Sequence, residues 1–188
     1  RRESAMDPGD AFMDLVWHPG EAQADFGEVD VLYRGAPQRM RHFVLDFPYS
    51  NIGLAQLMPG ENAECTCQAL LDLFEWLGGV PERIVFDNAA GMVRRKLFVP
   101  KPSVWNLENF NSGLPDRCLE LGRKPHHAKD EEETGLFEED RKALLPLPSR
   151  RFDVVTWKRM RADKYGVVTL DGRHRYSTDA SHARRDVL

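Results

Sequence analysis

Two aspartates in strand-like apolar runs are the residues of this chain best suited to chemistry. Asp25 lies in A-Q-A-D-F-G-E (22–28), and Asp87 sits near the end of R-I-V-F-D-N (83–88). A lone aspartate on a strand is usually solvated or caps a turn. A pair of them on neighbouring strands can hold divalent metal for chemistry at a phosphodiester. Such a site needs a third acid, and none stands at the expected place after Asp87.

The elements between the two acids decide whether they can meet. His18-Pro19-Gly20 is a sharp turn into a first strand, which residues 29–33 prolong and Arg34-Gly35-Ala36-Pro37 turns. Residues 41–47 form a second strand broken by Pro48, and residues 51–58 a third closed by Pro59-Gly60. Short turns suffice for antiparallel hairpins of this kind. Residues 61–77 read as a helix with Cys67, Leu70, Leu71, Phe74 and Leu77 as its buried stripe, ended by Gly78-Gly79 and Pro81. A fourth strand, 83–87, follows. The order β-β-β-α-β, with an acid on the first and fourth strands, predicts an α/β fold of RNase H-like (retroviral integrase-type) architecture with a mixed sheet. Beyond Asn88 the pattern predicts a helix end at 90–96, amphipathic helices at 104–121 and 136–145, and short strands at 153–157, 164–170 and 173–177 around Asp171-Gly172. The expected organisation is an upstream linker (1–17), a catalytic core incomplete after Asn88 (18–100), a helical linker (101–150) and the start of a small C-terminal β-barrel (151–188).

Composition narrows the class. With 41% hydrophobic and 30% charged residues the chain suits a soluble globular protein, and no apolar run approaches the ~20 residues of a membrane span. Its three cysteines leave one without a disulfide mate in any pairing, which points to a reduced, cytosolic setting. Cys65 and Cys67 point in different directions on a helix and have no second Cys/His pair nearby. The net charge is −4, but residues 92–104 hold four bases (Arg94, Arg95, Lys96, Lys101) and no acid, and residues 149–188 hold ten Lys/Arg against five Asp/Glu. Local basic surface is what binds a phosphate backbone, so DNA is an expected partner, with Arg94, Arg95, Lys96 and Lys101 as DNA-binding candidates. Seven acids crowd residues 130–140 and read as a solvated helical face, with a partner-docking face as the lesser alternative.

Several long motifs carry a resemblance. H-P-G-E-A-Q-A-D-F-G-E, the P-Y-S-N turn (48–51), G-E-N-A-E-C, G-G-V-P (78–81) and F-D-N-A resemble the catalytic core of IstA-type insertion-sequence transposases, members of the DDE superfamily with retroviral integrases. R-R-K-L-F-V-P (94–100), N-L-E-N-F-N (106–111), L-F-E-E-D (136–140), A-L-L-P-L-P (143–148) and A-D-K-Y-G (162–166) extend the likeness over nearly the whole chain. The resemblance implies a metal-dependent recombinase with a two-metal Mg2+ (or Mn2+) site, in which Asp25 and Asp87 match the first and second catalytic acids. It implies DNA end cleavage by water followed by strand transfer from the freed 3′-hydroxyl. It further implies homo-oligomers on insertion-sequence ends and target DNA, a AAA+ ATPase helper, no membrane association, and a cytoplasmic, nucleoid-associated bacterial setting. The family's third ligand is the glutamate of a K-G-x-V-E motif. Here F-D-N-A runs almost directly into G-M-V-R-R, which matches the family's stretch just after that glutamate. Glu120 has near-suitable spacing, but its context R-C-L-E-L-G matches the linker helix. The alternative to an active enzyme is a non-catalytic remnant that binds DNA or other transposase subunits.

Other residues have plainer readings. Asp30 and Asp46 read as exposed edge charges, His18 as a turn residue backed by Trp17, and His126-His127 as loop residues. Trp157, Tyr165 and Tyr176 alternate with bases and read as small-barrel core beside a DNA-facing rim.

Overall fold

The run that carries Asp25 extends as β1 (Glu21–Tyr33), and two residues set the turn at its end. In the computed structural model, which describes residues 16–86, 97–155 and 157–188, Arg34 and Gly35 both take positive φ (50° and 83°). That pair matches the twist of a two-residue hairpin. β2 (Ala36–Phe47) therefore starts at once, earlier than its apolar run suggests, with Pro37 opposite Leu32. β3 (Ile52–Met58) returns antiparallel to β2 after a turn in which Asn51 has φ 62°.

Helix α1 (Ala63–Leu77) begins where the Asn62 side chain accepts from the Cys65 N–H at 2.8 Å, and ends at Gly78 with φ 73°. Its buried stripe is Cys65, Ala69, Leu73 and Leu77, with Leu70, Phe74 and Trp76 alongside. The expected stripe thus shifts in phase: Cys67 and Leu71 are half-buried, because small Ala69 and Cys65 face the sheet and let the helix approach it. After β4 (Gly79–Val80), β5 (Arg83–Phe86) lies parallel to β1. The resulting mixed sheet has the order β3-β2-β1-β5, and β6 (Ser103–Val104) pairs parallel with the far half of β1. The chain is thus a mixed α/β structure on a mixed sheet.

The helix expected over 104–121 is interrupted. Val104 is strand, and α2 (Leu107–Ser112) and α3 (Leu114–Leu121) are separated at Gly113, with Pro115 in the first turn of α3. Proline lacks the N–H that a continuous helix would need there, but suits a helix start. The break lets α2 close the edge of β3. The Asn111 carboxamide accepts from the Leu57 N–H and donates to the Leu57 carbonyl, both at 2.8 Å, as a neighbouring strand would. Asn111→Ala should therefore cost ~1–3 kcal/mol by orphaning both groups and expose a sheet edge prone to pairing with another chain. Thermal melts and light scattering of the variant check both effects.

Helix α4 (Glu133–Ala143) packs its Phe137 edge-on to Phe47 (5.3 Å), and β7 (Leu145–Pro146) pairs with β4. One continuous core joins β1–β3, α1, α3 and α4 through Phe43, Leu45, Leu54, Leu57, Leu73 and Phe137, all at most 1% exposed.

Among the described residues, those up to Phe152 form one compact unit and those from Asp153 a second. In the second, β9 (Val167–Leu170) pairs with β10 (His174–Ser177), and β8 (Met160–Arg161) with β11 (Asp186–Val187). No strand is found over the described residues of 153–157. Trp157, Tyr165 and Tyr176 are exposed rather than core, since two short separate ladders offer no enclosed face. Ala162 and Val168 are the buried apolar residues of this unit.

Candidate active site

β1 fixes the surroundings of Asp25 through its neighbours on both faces. Ala24 is buried opposite Leu45, and Phe26 meets Phe43 edge-to-face at 5.1 Å. Asp25 itself is half-buried opposite Val44, and its Oδ1 accepts from the Phe26 N–H at 2.7 Å. Two residues on, Gly27 faces His42. A Cβ at Gly27 would stand 2.2 Å from His42 Cε1, so the fully buried imidazole fills the space that the glycine leaves. Sequence reasoning passed over both residues; the only available signal was a glycine inside a strand, which often marks a close approach.

On the other side of β1, the parallel register with β5 runs Glu21–Arg83, Ala22–Ile84, Gln23–Val85 and Ala24–Phe86. The next residue along β1 is Asp25, and the next in sequence after Phe86 is Asp87. Asp87, like Arg94, Arg95 and Lys96 and the helix end expected at 90–96, lies outside the described residues. Arg83 ties this corner together, pairing with Glu21 at 2.8 Å and lying over the Trp17 ring at 5.1 Å. His18 closes the turn, its N–H donating to Glu21 Oε2 at 2.9 Å.

Lys101 sits on the surface, 3.9 Å from Asp30, within a row of exposed charges that includes Arg39, Arg41, Glu28 and Glu61. Such exposed pairs are worth little individually. Lys101 thus remains able to exchange one anionic partner for another. Glu120 is exposed near the end of α3. Among the described residues no three His, Cys, Asp or Glu side chains form a metal-binding group.

Asp46 departs from its sequence reading. It is no exposed edge charge: desolvation first, then the nearby Glu133 and Asp140 carboxylates, push it up to about 7. The secondary cause comes from α4, which carries both of those acids from far along the chain. The cysteines are free thiols; burial pushes Cys118 up to about 12, which leaves it inert at neutral pH. His126 is buried in its loop, where its Nδ1 accepts from the Ala128 N–H at 3.1 Å. No helix among the described residues is long and apolar enough to cross a membrane.

No protein-family model matches the chain. Over 72 residues, 37% of its length, the chain is 33% identical to a proposed transposase for insertion sequence element IS5376 from Geobacillus stearothermophilus. The matched part spans 18% of that protein. Over this segment the chain is transposase-like.

Proposed function

We propose that this chain carries the core of a DDE transposase of the IstA kind, with an RNase H-like sheet on which Asp25 and Asp87 are the metal-binding acids. The observation that carries the reading is the β1–β5 register: Ala24 pairs with Phe86, and a candidate acid comes next in sequence after each. The transposase-like segment supports the same reading and a role in transposition.

The donor set suits the metal the reading requires. Asp25 offers a carboxylate on a strand anchored by buried neighbours, and oxygen donors of this type are what magnesium takes, with manganese an alternative. Bound there, such ions would activate an attacking oxygen and stabilise a leaving one at phosphorus. The chain's own contribution is to hold Asp25 in place: Phe26 against Phe43 fixes the strand, and the Phe26 N–H orients the carboxylate. With Asp25 and Asp87 but no K-G-x-V-E glutamate, the 188-residue chain holds an incomplete ligand set, and weak or absent catalysis is part of the proposal. The partners this implies are insertion-sequence ends and target DNA, further copies of the chain, and a AAA+ ATPase helper, in a bacterial cytoplasm.

The test is an end-cleavage and strand-transfer assay on a version carrying a K-G-x-V-E segment between Ala89 and Gly91. Asp25→Ala and Asp87→Ala should each abolish metal-dependent cleavage. Cleavage that survives either change would sink the assignment.

DNA binding has its own expected signature. Affinity should fall steeply with salt as Arg94, Arg95, Lys96, Lys101 and the bases of residues 150–185 release counterions from phosphates. Arg94→Glu with Arg95→Glu should weaken binding to all sequences alike. Titrations at several salt concentrations decide it, and an affinity indifferent to salt would remove these residues from the interface.

A further inference from the structure

The β1–β5 ladder is short, with Glu21 to Ala24 paired to Arg83 to Phe86, so its register depends on how the two strands enter it. The Glu21–Arg83 ion pair at that entrance has a partly solvated guanidinium, and such a pair is weak by itself. Gly20, immediately before β1, is held more firmly. Its N–H donates to Asp140 Oδ1 on α4 at 2.8 Å. Its carbonyl accepts from the N–H of Glu82, the residue before β5, at 3.2 Å. Gly20 is buried and takes φ 81°, a left-handed conformation that favours glycine. A Cβ there would stand 2.9 Å from Ala143 Cβ, so the end of α4 lies directly on it.

The residues that follow α4 meet the other entrance. β7 pairs with β4, just upstream of β5, with Val80 opposite Leu145. A Cβ at Gly79 would stand 2.7 Å from Leu144 Cβ and 3.0 Å from the Leu145 carbonyl oxygen. The stretch 140–146 thus touches both the residue that opens β1 and the strand that leads into β5. Within it Asp140 is 0% exposed, although acids are almost never fully buried unless paired, and the Gly20 N–H is its partner.

We propose that Asp140 is a positioning residue: by holding Gly20 it fixes the β1–β5 register, and with it the alignment of Asp25 with the position of Asp87. The register stands on the contacts just described, whereas its value for aligning two acids rests on the transposase reading. A slip of one residue in so short a ladder would turn every side chain of β5 to the opposite face relative to β1, and the acid that follows would turn with them.

Two substitutions separate the hydrogen bond from general packing. Asp140→Ala leaves the buried Gly20 N–H without its acceptor, and Asp140→Asn keeps an oxygen in the same place. Amide hydrogen exchange on the full chain reads the ladder. In Asp140→Ala, protection of the β5 amides should fall at least ~10-fold relative to the β2–β3 ladder, the scale of one orphaned buried donor. Asp140→Asn should restore most of it. No loss, an equal loss in both ladders, or no rescue by asparagine would overturn the positioning role. Should Asp140→Ala not fold, the unaltered chain decides. A Gly20 amide that exchanges as slowly as the β5 ladder supports the role, and one that exchanges like an exposed turn refutes it.

Manganese then tests the link to the acids. Added to the unaltered chain, it should broaden the amide NMR signals of residues 24–26, and Asp25→Ala should remove the effect. In Asp140→Ala the same broadening should need at least ~10-fold more manganese, the lower scale for a lost supporting partner, and Asp140→Asn should need little more. Unchanged broadening in Asp140→Ala would show that Asp140 does not align the acids. Absence of broadening in the unaltered chain would sink the metal-site reading, while the exchange pattern still decides the register.

Discussion

End cleavage by the 188-residue chain in magnesium should stay at background, and inserting a K-G-x-V-E segment between Ala89 and Gly91 should raise it by about three orders of magnitude, the upper scale for restoring one charge-stabilising group. The reason lies in coordination. Magnesium demands near-ideal octahedral oxygen geometry, so a site holding Asp25 and Asp87 without a third acid binds it poorly. A second ion has still less to hold it. Manganese is less exacting, and weak nicking by the unaltered chain should appear in manganese before it appears in magnesium. Strong cleavage by the unaltered chain, lost on Glu120→Gln, would transfer the third ligand to Glu120, despite its exposed place near the end of α3. Inactivity even after insertion would favour the alternative of a remnant that binds DNA or other subunits without cutting.

Phe43→Ala should lower the unfolding free energy by ~3–5 kcal/mol, the usual cost of removing a large buried aromatic. That is a large fraction of the ~5–15 kcal/mol that holds a typical domain together. Phe43 is fully buried at the middle of β2 and meets Phe26 edge-to-face at 5.1 Å. Its loss opens a cavity on the strand next to β1, opposite the residue that follows Asp25. Chemical denaturation gives the stability change. In the chain with the inserted segment, metal-dependent cleavage should also fall at temperatures where the variant is still folded, because Phe26 loses its stop. A change below about 1 kcal/mol would mean that the core collapses around the gap, and that Phe43 does not position β1.

Local chemistry was legible in the sequence. The order of strands and helix through residue 86 comes from apolar periodicity and punctuation, and it survives in β1, β2, β3, α1 and β5. The stop at Gly78 is a one-residue decision that needs no tertiary partner, whereas the cap at Asn62 was not read from the sequence. Placing Asp25 on a strand needed only the run around it. Asp87 was equally visible, but it lies outside the described residues, so its meeting with Asp25 stays a proposal carried by the β1–β5 register.

Contact between distant segments was not legible there. Asp46 looked like an edge charge because nothing near it in sequence covers it; burial in the folded chain raises its pKa first, and Glu133 and Asp140, arriving on α4, raise it further. Asn111 looked like a residue of one long amphipathic helix. Only the break at Gly113 and the open edge of β3 give its carboxamide a strand's role. The phase of the α1 stripe depended likewise on which helix face the sheet accepts. Periodicity and caps act over a few residues, whereas burial, register and proton affinity are set by whatever the chain brings alongside, and only the tertiary structure decides that.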